Sequence, residues 1–343
     1  MNNNTISIDL AKTVFQVAVF NRAGKPLSNQ DVSAKKMCQI IDQYPDANIF
    51  MEACGSAHYW ARLFVKKGHK VGLIPPSISA KFRIGNKNDS NDAVSIFEAS
   101  RSPRLHCVGI KSLEQQDIAI YHKYRESYKK AQNQIGNRIR GFAREYGVNF
   151  SLSLAKLCQQ VPDALEDAQN ELTTISRQIL SELLDDLILV INKYKRITQD
   201  ITRLSRQSEP SQRLINIPGY GVLSATMVYA HFGLAEDFKR GRDASASLGI
   251  VPTHSGSGGH VNMGGISKRG NTYLRSLLIN GARSVVSNIN NKADGLSVWI
   301  RSLLSRKNFN TTVVAVANKL LRMAIAILKS GGQYQVPVAQ VSG

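Results

Sequence analysis

Thr5-Ile6-Ser7-Ile8-Asp9 and Asn48-Ile49-Phe50-Met51-Glu52 are the two stretches that decide the fold of the N-terminal part of this chain. The first alternates polar and apolar residues with the period of a β-strand, the second has a short apolar run after Asn48, and each ends on a carboxylate. Two more acids, Asp89 and Asp92, lie three residues apart in Asn88-Asp89-Ser90-Asn91-Asp92-Ala93, at the predicted start of a helix. Acids at the ends of strands are poorly explained as solubilising surface in a chain whose net charge is +19.

Strands and helices are predicted to alternate around these acids. The predicted strands are Thr5–Asp9, Val14–Phe20, Pro26–Asp31, Asn48–Glu52 and Lys70–Ile74, and the predicted helices are Ser33–Tyr44, Ser56–Lys67 and Ser90–Ser100. Three strands, a helix, a strand, a helix, a strand and a helix is the order of the ribonuclease-H-like fold. We therefore predict an α/β ribonuclease-H-like domain over residues 1–110.

Residues 111–210 are predicted to be nearly all helix. Ser112-Leu113-Glu114-Gln115 matches a capping box, and a long helix is expected from there to about Tyr146. A second helix is expected from about Asp163 to Arg206, with apolar residues at mixed three- and four-residue steps. This spacing predicts a long antiparallel helical coiled coil, whose partner is either the rest of the same chain or a second copy.

Residues 211–343 are predicted to form a mainly α-helical domain. Ile217-Pro218-Gly219-Tyr220-Gly221 resembles a helix-hairpin-helix motif, in which backbone N–H groups at a helix N-terminus face a phosphate; a plain helix connection looks the same. A loop rich in small residues is expected over Pro252–His260, followed by a basic helix that carries Arg275 and Arg283. Thr311–Leu328 is predicted to be an amphipathic helix rather than a membrane span.

The charge of the chain indicates an anionic partner. The sequence pI is 9.9, which makes nucleic acid the default partner and an acidic membrane surface the alternative. Residues 211–343 carry 15 Lys and Arg against 4 Asp and Glu, a net charge of +11. This third is therefore the strongest candidate for phosphate contact, although basic residues on amphipathic helices are often only solvated faces.

The cysteines and the N-terminus exclude other classes. Cys38, Cys54, Cys107 and Cys158 contain no C-x-x-C pair, so neither a zinc site nor a disulfide framework is indicated. The polar start Met1-Asn2-Asn3-Asn4 does not resemble a secretory signal, and a cytoplasmic, nucleoid-associated protein is expected.

The four acids have the chemistry of a divalent metal site that faces a phosphodiester. Mg²⁺ prefers oxygen ligands, and two such ions about 4 Å apart activate a nucleophile and stabilise the charged transition state. Asp89 and Asp92 share one helical face by their spacing. For this pair alone an ordinary helix start is the simpler explanation. Together with Asp9 and Glu52, we predict that all four acids bind Mg²⁺ or Mn²⁺.

A serine among glycines is the second candidate site. Ser257 lies in Gly256-Ser257-Gly258-Gly259, where little steric bulk would hinder its approach to a phosphate; Ser255 is two residues away. Lys268 and Arg269 follow closely and carry the charge to neutralise a phosphate. A flexible loop without a nucleophile is the alternative. His254 and His260 are candidate general acid or base groups, although histidines in loops are more often only exposed.

These segments together resemble the DEDD insertion-sequence recombinases related to the Piv DNA invertase and the MooV transposases. The resemblance covers almost the whole chain and rests on the following runs: Ile8–Phe15, Met51–His58, Gly85–Ala93, Gln134–Gly141, Ile217–Gly221, and Gly258–Gly259 with Gly264–Asn271. The family shows Ser-Ser-Gly-Gly where this chain has Gly256-Ser257-Gly258-Gly259. The first serine of the pair is thus replaced, Ser257 is retained, and Ser255 is a second choice.

The resemblance implies a RuvC-like domain over 1–110, a coiled coil for oligomerisation over 111–210 and a transposase domain over 211–343. It implies a DNA recombinase that acts through a phosphoserine at Ser257 with Mg²⁺ on Asp9, Glu52, Asp89 and Asp92. It also implies a structured noncoding guide RNA beside donor and target DNA, and a homo-oligomer, dimer or tetramer. Expected nucleic-acid contacts are Gly219, Gly221, Lys268, Arg269, Asn271, Arg275, Arg138 and Arg140. The alternatives are a metal-dependent Holliday-junction endonuclease without a covalent intermediate and a non-catalytic nucleic-acid-binding protein.

Overall fold

The chain divides into two compact units, Met1–Ser112 and Leu113–Gly343. A computed structural model describes residues 3–86, 88–103, 105–257, 260–289 and 293–336. The prediction of an α/β N-terminal part followed by a mainly helical remainder is confirmed. The three-part division at 110/111 and 210/211 stays a prediction.

The first unit contains the predicted alternation of strands and helices. Its elements in chain order are β1 (Thr5–Leu10), β2 (Phe15–Phe20), β3 (Pro26–Val32), α1 (Ala34–Asp42), β4 (Asn48–Glu52), α2 (Ala57–Lys66), β5 (Lys70–Ile74), α3 (Pro76–Ser79) and α4 (Asp89–Ser100). Side-chain caps fix two of the helix starts: Ser33 Oγ accepts from Lys36 N, and Asn88 Oδ1 accepts from Asn91 N. The short helix α3 was not predicted, although Pro75 and Pro76 favour a helix start.

The five strands form one mixed sheet in the order β3-β2-β1-β4-β5. β1 pairs antiparallel with β2, and β2 pairs antiparallel with β3. β1 pairs parallel with β4, and β4 pairs parallel with β5. The central strands β1 and β4 therefore end at the same edge of the sheet, which is the edge where each carries its acid.

The two faces of the sheet are buried under different helices. Ile6, Ile8 and Met51 pack into one core with side chains of α1 and α2, such as Met37 and Phe64. On the opposite face, side chains of the sheet and of α4 form two smaller clusters: Ala18, Phe20, Ala93 and Phe97 in one, and Ile74, Ile96 and Ala99 in the other. Because side chains alternate along a strand, Asp9 and Glu52 lie on the α4 face.

The second unit consists of nine helices and one hairpin within its described residues. Its elements are α5 (Leu113–Arg144), α6 (Leu154–Glu166), α7 (Thr174–Gln207), α8 (Glu209–Ile215), α9 (Val222–Phe232), α10 (Gly241–Ser247), β6 (Pro252–Ser257), β7 (His260–Ile266), α11 (Thr272–Ser287), α12 (Gly295–Leu304) and α13 (Phe309–Ser330). The long helices α5 and α7 pack along each other. Residues of α5, α6 and α7 form one core, and residues of α8 to α13 together with Ile118 of α5 form the larger one.

The second long helix begins later than predicted. The expected helix from about Asp163 is two helices, α6 and α7, because Asp167–Thr173 has no helical structure. Thr173 caps α7 by accepting from Ser176 N at 3.2 Å. The Arg177 guanidinium then donates to the carbonyls of Ala164, Leu165, Asp167 and Leu172. One side chain thus satisfies the backbone that the break leaves open, which helical spacing alone does not reveal.

The C-terminal helix α13 lies in the core of the second unit. It is the one helix in the described part of the chain that is long and apolar enough to cross a membrane, and 56% of its most apolar segment is buried inside the protein. Val316, Leu320, Leu321 and Ala324 are almost fully buried against the neighbouring helices. Its apolar character is therefore accounted for by packing.

A buried polar contact joins three helices of this unit. His122 of α5 is 1% exposed, and its Nε2 lies 2.9 Å from Thr226 Oγ1 of α9. Its Nδ1 lies 3.0 Å from the hydroxyl of Tyr273 of α11. Thr226 Oγ1 already donates to Val222 O, so Nε2 carries the proton and Nδ1 accepts from Tyr273. Burial and, to a smaller extent, the positive charge of Arg125 together lower the pKa of His122 to about 4.

Candidate active site

Asp9 and Glu52 are brought level with each other by strand register. Ile8 of β1 pairs with Met51 of β4, so the residues that follow them lie side by side at the carboxyl ends of two parallel strands. Neighbouring strands are about 4.8 Å apart, which places the two backbones within reach of one bound ion. Both acids are partly exposed and face the side of the sheet that α4 covers.

Helix α4 supplies the other two acids from its first turn. It begins at Asp89 because Asn88 caps it, and it packs against β1, β2 and β4. Asp92 is partly buried, whereas Asp89 is exposed. The two acids therefore lie on the first turn of a helix, as the sequence predicts. The packing of α4 directs this turn toward the sheet, which the spacing of the acids alone does not predict.

The four acids influence one another electrostatically. The pKa of Asp9 is raised to about 6, first by burial and then by the negative charges of Asp92, Asp89 and Glu52, while a hydrogen bond from the Leu10 N–H opposes the shift. Like charges at such proximity destabilise one another unless a cation is present. The cluster is therefore an electrostatic cost to the protein without a bound cation.

Two further residues, neither of which is marked by a sequence motif, form hydrogen bonds or ion pairs with the acids. Ser79, at the end of α3, donates from Oγ to Glu52 Oε2 at 2.6 Å. Arg83, in the connection to α4, forms an ion pair through Nε with Asp92 Oδ1. Both partners lie between β5 and α4 in sequence, in a segment that carries no motif. Only the fold brings this segment to the carboxylates, so no signal in the sequence marks it.

The donor chemistry of the four acids fits a divalent metal, although their side chains are not drawn together around a common point. Among the residues that the structure describes, no three His, Cys, Asp or Glu side chains lie close enough to hold an ion as they stand. The charge interactions on Asp9 reach farther than metal–ligand bonds, so the two observations agree: the acids are neighbours but not yet a coordination shell. All-carboxylate oxygen donors suit Mg²⁺ or Mn²⁺ rather than zinc.

The expected serine loop is a β-hairpin. Strands β6 and β7 pair antiparallel, with Ser255 opposite Asn262 and Ser257 opposite His260. The prediction of a loop is therefore wrong, and the Gly-Gly dipeptide between Ser257 and His260 was the hairpin signal. Gly258 and Gly259 lie outside the described residues. Ser257 is the last residue of β6, next to the turn.

The base of this hairpin presents Lys268 and Arg269 to solvent. Gly270 has φ +72° and a Cβ there would lie 2.0 Å from Ser247 O, while a Cβ on Gly249 would lie 2.3 Å from Arg269 N. Only glycine permits this close backbone contact, which fixes the segment carrying both exposed basic side chains.

Asn271 and Arg275 support that segment from within. Asn271 caps α11 by accepting from Leu274 N at 3.0 Å. The buried Arg275 guanidinium donates to Leu248 O at 2.9 Å and to Arg269 O at 2.6 Å. These contacts favour a structural role for both residues, so that Lys268 and Arg269 are the better candidates for a phosphate contact.

Gly219 and Gly221 have different surroundings. Gly219 has φ +77°, and a Cβ there would lie 2.6 Å from Gly281 O of α11, so this glycine allows a close backbone approach inside the unit. Gly221 is exposed, and it is the N-cap of α9 without a side-chain cap. Of the two, Gly221 is positioned to leave helix N–H groups accessible.

Arg138 and Arg140 also separate. Arg138 is exposed on α5. Arg140 is 8% exposed, and its guanidinium donates to Ser151 O at 2.8 Å and to Leu152 O at 2.7 Å. These bonds hold the α5–α6 connection, which favours a structural role for Arg140. Exposure and not sequence position distinguishes the two arginines.

Sequence comparisons match this chain from near its start to near its end. Residues 6–147 match the transposase family model DEDD_Tnp_IS110, and residues 211–296 match the model described as "Transposase IS116/IS110/IS902 family". A Pseudomonas aeruginosa protein described as "Probable family 20 transposase" is 37% identical over 96% of this chain and 97% of its own length. The transposase for insertion sequence element IS1111A of Coxiella burnetii is 33% identical over 96% of this chain and 91% of its own length.

A third relative extends the same pattern. The transposase for insertion sequence element IS1328 of Yersinia enterocolitica is 30% identical over 96% of this chain and 98% of its own length. Matches of this extent cover both the acid-bearing sheet and the hairpin-bearing helical unit. The chain belongs to the IS110/IS116 family of DEDD insertion-sequence transposases.

Proposed function

We propose that this transposase cleaves and rejoins DNA through a covalent phosphoserine at Ser257, with Mg²⁺ or Mn²⁺ held by Asp9, Glu52, Asp89 and Asp92. The observation that carries the proposal is the meeting of Asp9 and Glu52 at one sheet edge with the first turn of α4. The order β3-β2-β1-β4-β5 supports a ribonuclease-H-like, RuvC-like fold for this unit. A bound divalent ion would supply Lewis-acid stabilisation of charge on the phosphate.

The serine step conserves the energy of the phosphodiester bond. Ser257 Oγ bonds to the phosphorus as the bond from phosphorus to the leaving DNA oxygen breaks, and the hydroxyl proton passes to that oxygen. Attack by a DNA hydroxyl on the phosphoserine reverses the step and releases the serine. The exposed Lys268 and Arg269 at the base of the hairpin supply positive charge for the phosphate backbone.

The wider proposal covers partners and assembly. From the family resemblance we propose that the protein is related to the Piv invertase and the MooV transposases. We also propose that its partners are an element-encoded guide RNA and the donor and target DNA. The packing of α5 along α7 supports a helical coiled coil. We propose that it contributes to a homo-oligomer, dimer or tetramer, in which the carboxylates and Ser257 of one reaction site come from different subunits.

Trapping of a covalent adduct tests the nucleophile. Labelled element-end DNA incubated with the protein, the guide RNA and Mn²⁺ is expected to give a protein–DNA adduct resistant to denaturation. Ser257→Ala should abolish it and the matched control Ser255→Ala should retain it. An adduct that persists without Ser257 excludes the proposed nucleophile.

Mixing of variants tests the composite site. Ser257→Ala and Asp9→Ala subunits are each expected to be inactive, and co-assembled subunits should recover part of the activity. Absence of recovery counts against sites shared between subunits. Metal-dependent cleavage that needs Asp9 but not Ser257 would instead favour a Holliday-junction endonuclease, and absence of any cleavage would favour a non-catalytic binding protein.

A further inference from the structure

We propose that Arg83 is a positioning residue that acts as the internal counter-cation of the carboxylate site, so that a divalent metal must displace it from Asp92 before binding. This inference rests on the proposed metal site. It assigns to Arg83 a task that neither the motif nor the family relationship names: setting the concentration of metal at which the site assembles.

The ion pair itself is unusual in its burial. The Arg83 and Asp92 side chains are 24% and 14% exposed, whereas each of four other ion pairs in the protein leaves one partner more than half exposed. Water screens a buried pair less, so its charges act more strongly on each other and on nearby groups. An arginine in this position is always charged, which makes it a constant substitute for a cation.

The bonding geometry sets Arg83 against a metal. The Arg83 Nε–H donates a hydrogen bond to Asp92 Oδ1, so the guanidinium already compensates the negative charge of this carboxylate. Mg²⁺ requires carboxylate oxygens at about 2.1 Å, so it does not share that oxygen at full strength with the arginine. Removal of the guanidinium therefore frees one ligand and adds one unit of negative charge to the cluster.

The contrast with Ser79 shows why Arg83 is the competing residue. The hydrogen bond from Ser79 Oγ to Glu52 Oε2 orients the carboxylate without neutralising its charge. Hydrogen bonds of this kind support metal ligands. Glu52 is thus oriented but keeps its full negative charge, whereas the charge of Asp92 is compensated by Arg83. Both contacts come from the segment between β5 and α4.

The direct test is metal affinity measured without nucleic acid. Mn²⁺ titrated into the full-length protein by calorimetry should bind Arg83→Gln about tenfold more tightly than wild type, a difference of about 1.4 kcal/mol. The metal-free variant should nevertheless melt at a lower temperature, because the acids lose their counter-cation. A merely structural arginine would lower the melting temperature without tightening metal binding.

Matched variants separate the specific contact from general charge. Lys81→Gln removes the same charge from an exposed side chain two residues away and should leave Mn²⁺ affinity within about twofold of wild type, since exposed charges are screened. Arg83→Lys keeps the charge but not the fork and should fall between wild type and Arg83→Gln; it also serves as the test variant if the glutamine variant does not fold.

The outcomes distinguish this inference from the metal site on which it rests. Unchanged or weaker Mn²⁺ binding in Arg83→Gln, or an equal gain in Lys81→Gln, overturns the role of Arg83. Asp9→Asn is expected to abolish Mn²⁺ binding both in the otherwise unsubstituted protein and in the Arg83→Gln variant. If Mn²⁺ binds Asp9→Asn as well as wild type, or does not bind wild type at all, the proposed carboxylate site fails and Arg83 with it.

Discussion

Acidification is expected to weaken the second unit through a single buried side chain, His122. The neutral imidazole accepts from Tyr273 in a partly buried hydrogen bond and donates to Thr226 in a buried one. A proton added at Nδ1 removes the acceptor for Tyr273 and places a charge near Arg125. The folded protein therefore binds this proton less readily than the unfolded chain does.

The magnitude follows from the two pKa values. The folded value is about 4 and the ordinary value is 6.5. Since the folded pKa is depressed, the unfolded chain binds more protons between these values, and stability is lost as the pH falls through 6.5 toward 4. Between pH 7.5 and pH 5 the loss from this residue is about 2 kcal/mol. A shift of one unit in the folded value changes this figure little, because at pH 5 the loss is set mostly by the unfolded chain.

Urea denaturation monitored by tryptophan fluorescence measures this loss. The chain has two tryptophans, Trp60 in α2 and Trp299 in α12. In a Trp60→Phe background the signal of Trp299 reports the second unit alone. We expect the free energy of unfolding to fall by about 2 kcal/mol more between pH 7.5 and pH 5 in this protein than in its His122→Gln variant.

A matched substitution and a clear negative result complete this test. His254→Gln removes an exposed histidine of the same unit and should reproduce the pH dependence of the unsubstituted protein. Equal pH dependence with and without His122 would refute the assignment of a buried neutral imidazole. The glutamine variant is expected to be less stable at pH 7.5 because it loses packing, so the slope with pH and not the absolute stability is the measure.

Three further predictions concern the stability of the protein and its DNA binding. Asp9→Asn should stabilise the first unit by about 1–2 kcal/mol at pH 8 in EDTA, after allowance for solvent screening, because it removes one of four clustered negative charges. The gain in stability should vanish below pH 4, where Asp9 is protonated in both the folded and the unfolded protein. A loss of stability at pH 8, measured by urea titration, would contradict this prediction. Gly219→Ala should destabilise the protein by about 2 kcal/mol, because Gly219 has a φ of +77°. Gly141 is exposed within a helix, and Gly141→Ala should stabilise the protein by about 0.5–1 kcal/mol in thermal melts. Equal effects of the two substitutions would exclude a backbone requirement for glycine at position 219. Arg140→Ala should lower the stability of the protein by about 2 kcal/mol and leave its DNA affinity unchanged. Arg138→Ala should weaken DNA binding in a gel-shift assay and leave the melting temperature unchanged. The reverse pattern would contradict a structural role for Arg140 and a DNA contact by Arg138.

The sequence was most informative where local pattern and tertiary contact agree. The alternation in Thr5–Asp9 and the short apolar run in Asn48–Glu52 predict strands that end on acids, and the parallel pairing of β1 with β4 aligns those acids. The break at Asp167–Thr173 is not visible in the apolar spacing, because the Asp167 and Leu172 carbonyls are satisfied by Arg177, which lies in the next helix. Apolar spacing carries no information about such a contact.

The candidate site was predictable only in part for a similar reason. Asp89 and Asp92 could be placed on one helical turn from their spacing, but the partners Ser79 and Arg83 lie in a segment without pattern, and only its packing against the sheet edge relates them to the acids. The hairpin at Ser257 was a different failure. The Gly-Gly dipeptide is a hairpin signal, but Pro252–Ser257 has no alternation of apolar residues that would mark it as a strand.

The β6–β7 hairpin has a thermodynamic consequence for how a reaction site of this kind would be assembled. A ribbon of two strands has little cooperative stability of its own, and this one is anchored at its base by the contacts of Gly249 and Gly270. Fixing its tip on a phosphate backbone must therefore be offset by binding energy. With Ser257 as the proposed nucleophile, a DNA end that contacts the ribbon only weakly would not compensate this cost, and selection among DNA ends would extend from recognition into the assembly of the reaction site.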